Sequence, residues 1–279
     1  MPRERRRSAI AALVVGGLAV VGIVIGTAIV TPQSVSSVMP DGVVHSNGVT
    51  WRPVFSQDFD RDAPTGTVLS RYPDLLSYGS GDDTSGKGTY APNSVLSVHD
   101  SMLDWHLRTV DGRPRVASVL PEGYTGHTYS RVSLRYRADV VPGYKFVMVL
   151  WPLSDDWNDG EIDWPEGDLA DPPRPASAIP GSFDSSTEQM TFLPKQEAYA
   201  PTDQRGWHVA TVEWTPDAVR FLWDGEVVST VHKAVPSVPM RVTLQAETTI
   251  DDEKVPAASA GHVQVDWISV FEDSDQSGE

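Results

Sequence analysis

The chain has 279 residues, 40% of them hydrophobic and none a cysteine, which suffices for one buried core of roughly 200–250 residues plus an additional segment. A disulfide scaffold is excluded, while a domain this large buries an adequate core without staples, so export is compatible with the composition. The whole chain is −16 at neutral pH and Arg3, Glu4, Arg5, Arg6 and Arg7 sum to +3, leaving −19 for everything after them; that balance disfavours nucleic acid and anionic lipid as partners and suits a neutral polymer.

Residues 1–7 are a basic segment, followed from Ser8 to Val30 by an uncharged run of about 23 residues, long enough to span a bilayer. The run exceeds the 7–15-residue core of a signal peptide and shows no small-x-small cleavage site near Thr27 to Pro32. A membrane signal anchor is therefore predicted, with a cleaved signal peptide as the alternative. Positive charge stays on the cytoplasmic side, so the remainder is expected to be extracytoplasmic. Residues 31–50, a Pro, Ser, Val and Gly mixture, read as a linker.

A folded domain is expected over 51–272, opening at TWRPVFSQDFD with Phe55 and Phe59 at even spacing toward a core. Residues 60–94, rich in Gly, Asp, Ser and Pro, read as loops over a cleft mouth. Strands are predicted in SVLSVHDSMLDWHLRTV, with a turn near Asp100, and in YSRVSLRYRADV. Trp105 and His106 fall on opposite faces of one strand. Trp105 is either core or a platform on which the C–H face of a sugar stacks; His106 has no metal-ligand spacing around it.

The stretch Lys145 to Leu169, KFVMVLWPLSDDWNDGEIDWPEGDL, carries the chemistry. An apolar strand ends at Pro152, a polar loop follows, and then Glu161 and Asp163 alternate with Ile162 and Trp164, so the two acids share a face. Glu166 breaks the parity. Strict alternation would bury a lone carboxylate at a cost, whereas one extra residue, a β-bulge, returns it to the face of the other two, and Pro165 suits a bulge because it donates nothing to a ladder.

Three carboxylates in a row repel one another and push at least one pKa up. The arrangement suits retaining glycoside hydrolysis, which needs one carboxylate as nucleophile and one as acid and then base, the carboxyls about 5–5.5 Å apart. The two Glu backbones are roughly 13 Å apart along a strand, so their side chains must lean together across a concave sheet. A solvated acidic strand is the plain alternative. An EF-hand loop is a decoy: Asp155, Asp159, Gly160, Ile162 and Glu166 fall at positions 1, 5, 6, 8 and 12, but Trp157 and Pro165 occupy positions 3 and 11 and a strand enters the loop where a helix is required.

Trp151 and Trp157 flank that loop and serve either sugar stacking or the core. Further on, Trp207 to Trp223 alternates and Asp224-Gly225 reads as a hairpin turn. In VTLQAET, Gln245 and Glu247 share a face opposite Leu244 and Ala246, and are assigned to sugar hydroxyls. VQVDWISVF is the last predicted strand, followed by an acidic tail over 273–279. Many short alternating strands with Gly and Pro punctuation predict an all-β fold of packed antiparallel sheets.

GEIDWPEGDL resembles the Glu-x-Asp-x-x-Glu signature of glycoside hydrolase family sixteen. The likeness extends to WHVATVEWTPDAVRFLWDGEVV, VTLQAET and GHVQVDWISVF, covering most of the chain from about Trp51, and looks closest to an actinobacterial branch. It implies a β-jelly-roll of two sheets, one forming a concave substrate cleft, and a monomeric retaining endo-glycosidase acting on a β-linked glucan or galactan. Glu161 would be the nucleophile, Glu166 the acid/base and Asp163 their electrostatic partner. The resemblance implies no cofactor, although Asp266 resembles a position that binds structural calcium in some relatives. His208 matches a family position, and Trp157 a family Trp just ahead of the motif. One departure stands out: relatives commonly place a histidine in the strand after the motif, and none occurs between Gly167 and His208, where Gln189 or Glu188 are the candidates to replace it. A non-catalytic, lectin-like glycan-binding surface protein, a transglycosylase and a structural calcium-binding protein are the alternative functions.

Overall fold

Alternation of apolar and polar side chains organises nearly every segment of the computed structural model, which describes residues 38–251 and 253–274. The basic segment and the apolar run 8–30 lie outside the described residues, as does most of the acidic tail. Among the described residues no helix is long and apolar enough to cross a membrane.

The chain opens with a hairpin of β1 (Val44–Ser46) and β2 (Val49–Gln57). After one turn of helix, α1 (Val68–Arg71), come the short strands β3 (Leu76–Ser77), β4 (Gly81–Asp82) and β5 (Thr89–Tyr90), then a second helical turn, α2 (Pro92–Val95). Longer strands follow: β6 (Leu96–His99), β7 (Met102–Val110), β8 (Arg113–Leu120), β9 (Ser130–Ala138) and β10 (Tyr144–Pro152). The rest comprises β11 (Ile162–Asp168), β12 (Arg174–Ala178), β13 (Phe192–Leu193), β14 (His208–Trp214), β15 (Val219–Trp223), β16 (Glu226–Val231), β17 (Met240–Thr248) and β18 (Ala260–Asp273). Two expectations change here. The stretch to residue 50 read as linker contains β1, paired with β2 as Val44↔Trp51 through Ser46↔Val49, and residues 60–94 carry three short strands and two helical turns as well as loops. Both escaped sequence reading because two- and three-residue strands hold too few positions for a period to register.

The strands form two layers of an all-β jelly-roll sandwich. In the outer layer β18 runs beside β9 on one side and beside β7 and then β2 on the other, and β9 continues through β14 and β15 to β16. The inner layer is ordered β3-β8-β17-β10-β11-β12-β13. β8 leaves its hairpin with β7 to pair with β17, tying the layers into one continuous sheet of 18 strands. The Asp224-Gly225 turn is as predicted, with φ of 53° and 87° suited to a two-residue hairpin between Trp223 and Glu226.

Between the layers lies an aromatic core. Trp105 meets Phe146, Phe146 meets Tyr136, Tyr136 meets Trp223, and Trp223 meets Trp164, all with ring centroids within about 6 Å. The chain of rings joins β7, β9 and β15 of the outer layer to β10 and β11 of the inner one. Tyr144, Phe146, Met148 and Leu150 of β10 all point into this core, so strand parity turns Lys145, Val147, Val149 and Trp151 to the opposite, cleft-facing side.

One polar clamp closes the sandwich. Buried His127, in the connection from β8 to β9, has Nδ1 2.8 Å from Glu272 Oε1 on β18 and Nε2 2.8 Å from Glu122 Oε1. Burial alone would lower the imidazole pKa, but the two carboxylate hydrogen bonds raise it above its ordinary value. The unfolded pKa is near 6.5, so this stabilisation is complete below that pH and is lost as pH rises through the higher folded value. His127→Gln should lower stability by on the order of 1–3 kcal/mol at pH 5.5, with the deficit narrowing toward pH 9. Thermal unfolding of both proteins across that range tests this, and a pH-independent gap would rule out the charged clamp.

Candidate active site

The inner sheet places its cleft-facing residues in rungs set by register. Thr243 of β17, Val149 of β10, Asp163 of β11 and Ala176 of β12 form one rung; Gln245, Val147, Glu166 and Arg174 form the next. Below them Glu247, Lys145 and Asp168 form a third. Between Val149 and Val147 β10 advances two residues and β12 two, while β11 advances three, from Asp163 to Glu166. That is the predicted bulge, and it falls at Trp164-Pro165. Ile162 and Trp164 are fully buried on the core side, so the three carboxylates share the cleft face.

Local structure delivers Glu161 to the same face. The loop after β10 ends in a 3₁₀ turn, Trp157–Asp159, capped by Asp156, whose side chain accepts the Asn158 N–H at 2.9 Å. Gly160 follows with φ of 112°, and a Cβ there would lie 2.8 Å from Pro236 Cγ, so both conformation and space require glycine immediately before the acid. The turn aims the Trp157 indole back over the strand, where Nε1–H donates to Glu161 Oε2 at 2.6 Å. Phe183 and Phe192 pack against the indole ring.

Burial dominates the electrostatics. The Glu161 carboxyl is pushed up to about 7, first by desolvation and then by the charge of Glu166, against the opposing Trp157 hydrogen bond, a bond from Asp163 and the charge of Lys145. Asp163, 3% exposed, is pushed well above the ordinary carboxyl range by burial and by Glu161 and Glu166. Both effects disfavour its charged form. Glu166 is less buried and lies 3.9 Å from the Arg174 guanidinium.

The cleft has a volume of about 650 Å³ and crosses the sheet from Tyr78, Thr84 and Gln245 to Gln189 and Phe192. Glu161, Asp163, Glu166, Trp151 and Trp157 all line it. Trp151 is half-buried, its Nε1–H donating to Asp155 Oδ1 at 3.1 Å, and Gln245 accepts from Ser118 Oγ at 3.1 Å. Gln189 reaches the cleft wall whereas Glu188 is exposed and absent from the lining. Opposite Asp163 stands Ala176, and Asp163 Oδ1 is buried without a hydrogen-bond partner.

Two expectations are corrected. Trp105 is not a sugar platform: it is fully buried, and its Nε1–H is spent on the Ala117 carbonyl, because β7 turns its odd positions inward. Glu247 is not presented to sugar hydroxyls, being fully buried; Tyr90 OH donates to its Oε1, Thr84 Oγ1 donates to the same oxygen at 2.9 Å, and Lys145 Nζ lies 3.5 Å from Oε2. Asp266 is ion-paired with Arg135. His208 is structural, bonded to Asp224 and stacked on Trp223. Sequence reasoning missed Tyr78, Thr84, Phe192, Arg174 and Lys145. Only Lys145 left a usable signal, its even spacing from Val147, Val149 and Trp151 along one strand.

A sandwich whose inner sheet carries a three-carboxylate row in a solvent-filled cleft defines a glycoside hydrolase. The chain belongs to glycosyl hydrolases family 16, whose family model matches residues 121–269. Among solved structures it is similar to the laminarinase from Rhodothermus marinus, at 18% identity over 80% of this chain and 98% of that one, with a TM-score of 0.64. It is similar also to the endo-β-1,3-glucanase from Pyrococcus furiosus, at 19% identity over 84% and 99% of the two chains and a TM-score of 0.62. The laminarinase catalytic domain from Thermotoga maritima gives 18%, 80%, 98% and 0.59. At such identities the likeness shows the fold. No curated protein matches the chain.

Proposed function

We propose that the protein is a retaining endo-glycosidase of β-linked glucans, with Glu161 as nucleophile, Glu166 as acid/base and Asp163 holding the nucleophile. The observation that carries this reading is the bulge at Trp164-Pro165, which brings Glu166 to the face of Glu161 and Asp163. The glucan substrate is favoured by the solved structures the fold resembles, named as laminarinases and an endo-β-1,3-glucanase. A strongly acidic chain also suits a neutral polymer.

In the first step Glu166 gives its proton to the glycosidic oxygen as the bond to the anomeric carbon breaks, and Glu161 attacks that carbon to form a glycosyl ester. In the second, Glu166 takes a proton from water, the resulting hydroxide attacks the same carbon, and Glu161 leaves as carboxylate. Burial pushes the Glu161 carboxyl up to about 7, a value that by itself would suit a general acid. Hydrogen bonding argues for the assignment given: the Trp157 N–H donates to Glu161 at 2.6 Å, which favours its ionised form, while Glu166 stands nearer solvent beside Arg174.

The location is proposed to be extracytoplasmic, with residues 8–30 as a membrane anchor or export signal. Release of reducing ends from laminarin, mixed-linkage glucan, xyloglucan, agarose and carrageenan tests the function. Release from the glucans alone is the expected result. Glycan retention on the protein without release would replace the reading with a lectin-like one, and release from agarose or carrageenan would move the substrate class to galactans.

A further inference from the structure

The cleft face of the inner sheet is almost entirely acidic or neutral below the catalytic rung, with one buried exception. Lys145 is 8% exposed, sits between Glu247 of β17 and Asp168 of β11, and opens onto the same cleft as Glu161, Asp163 and Glu166. A lysine near the start of an apolar strand loses hydration and side-chain entropy on burial, so its partner must hold it firmly. Glu247 does so from an immobilised position. Its Oε1 is occupied by Tyr90 and Thr84, which leaves Oε2, lacking any hydrogen bond of its own, to face the ammonium. Thr84 is in turn fixed by its loop, where buried Asp83 accepts from the Gly88 N–H and from both the N–H and the hydroxyl of Thr248.

We infer that Lys145 is a positioning residue for the reaction: held by Glu247 one rung below Glu166, its ammonium is the buried positive charge that balances the carboxylate row of Glu166, Asp163 and Glu161 in the cleft. The inference rests on the proposed roles of Glu161 and Glu166 and goes beyond them by assigning the charge that balances the row. The groups facing the pair are Glu166 beside it on β11, Lys145 on β10, Arg174 on β12 and the Trp157 N–H from the preceding turn. Glu247 on β17 and Asp168 at the end of β11 face Lys145. Of the cations, Lys145 is the buried one; Arg174 is 45% exposed in its side chain and divided between Glu166 and Glu197, so solvent screens it. The Lys145 charge favours ionisation of both Glu161 and Asp163.

Because Glu247 neutralises part of that charge, the two residues act in opposite directions. Removing Lys145 makes the pair harder to ionise; removing the Glu247 charge makes it easier. A role confined to packing would move neither.

The test follows the Glu161 carboxyl carbon by NMR across pH 4–10, assigned by its loss in Glu161→Gln, so that the reading does not depend on turnover. In Lys145→Met the titration should move to higher pH by at least about half a unit; in Glu247→Gln it should move to lower pH; Lys145→Arg should stay near the parent. Lys145→Met/Glu247→Gln removes both charges without leaving either buried alone, which keeps the test valid should Lys145→Met not fold. Its titration should lie above that of Glu247→Gln. The acid limb of kcat/KM on laminarin should move with the titration. Shifts in the same direction for both single variants, or no shift in the double variant relative to Glu247→Gln, would overturn the inference. Titrations that move as stated in a protein without glycosidase activity would uphold the electrostatics and reject the proposed reaction instead.

Discussion

Glu161→Gln is expected to lower kcat on laminarin by at least about 10⁴-fold while the protein folds as before. The amide keeps the size of the side chain and can still accept the Trp157 N–H, whose 2.6 Å bond fixes the carboxylate, but it cannot form a glycosyl ester. The same substitution carries a stability signature. The Glu161 carboxyl is raised to about 7, first by burial, whereas the unfolded chain ionises near 4.3. The folded parent therefore holds a proton that the unfolded chain has released, and its stability falls as pH rises from about 4.3 through 7. Glu161→Gln has no such proton to lose. Relative to the parent it should gain on the order of 3 kcal/mol between pH 4 and pH 8. Denaturant unfolding at those two pH values measures the gain, and its absence would mean that Glu161 is not the raised carboxyl. Turnover by the variant on either a polysaccharide or an aryl glycoside would remove Glu161 from the nucleophile's role.

Glu166→Gln is expected to behave differently, and the contrast separates the two roles. On polysaccharide it should lose about 10²–10⁴ in kcat/KM, because a sugar alkoxide leaves poorly without a proton. On an aryl β-glycoside, whose phenolate leaves unaided, the first step should proceed nearly as in the parent and the glycosyl enzyme should accumulate, giving a burst of phenol. Azide added to Glu166→Ala should restore turnover and yield the product of retained configuration, since a small anion can attack the glycosyl ester without base assistance. Glu161→Ala with azide should instead give the inverted azide in a single displacement. Exchanged outcomes would exchange the residues. The position of Glu166 one rung from Asp163, at the less buried end of the row beside Arg174, suits a group that must meet both a leaving sugar and incoming water.

The missing histidine acquires a structural meaning from Ala176. That small residue lies directly across from Asp163 on β12 and leaves Asp163 Oδ1 unpartnered. Burial first, then the charges of Glu161 and Glu166, push the Asp163 carboxyl up with no imidazole set across from it, and the wall of the cleft at this rung is shaped by Gln189 and Phe192.

The sequence by itself determined what depends on neighbours along the strand. Period-two alternation assigned Ile162 and Trp164 to the core and Glu161 and Asp163 to the cleft, and the cost of burying a lone carboxylate predicted the bulge before Glu166, because side-chain direction in a strand follows from parity. The same logic found the Asp224-Gly225 turn. What only the tertiary structure decided depends on pairing between strands distant in the chain. Trp105 and Trp151 are both tryptophans on alternating strands, yet one fills the core and the other lines the cleft, since Trp105 stands on the face of β7 turned between the layers and Trp151 on the face of β10 turned away from them. Glu247 and Gln245 share a face and a strand and both border the cleft, but Thr84 in its loop and Tyr90 on β5 bind the Glu247 carboxylate and leave it fully buried, whereas Gln245 is part-exposed. Lys145 meets Glu247 across 102 positions of chain only because β10 pairs with β17, and such register is set by the packing of the whole sandwich, which no local pattern encodes.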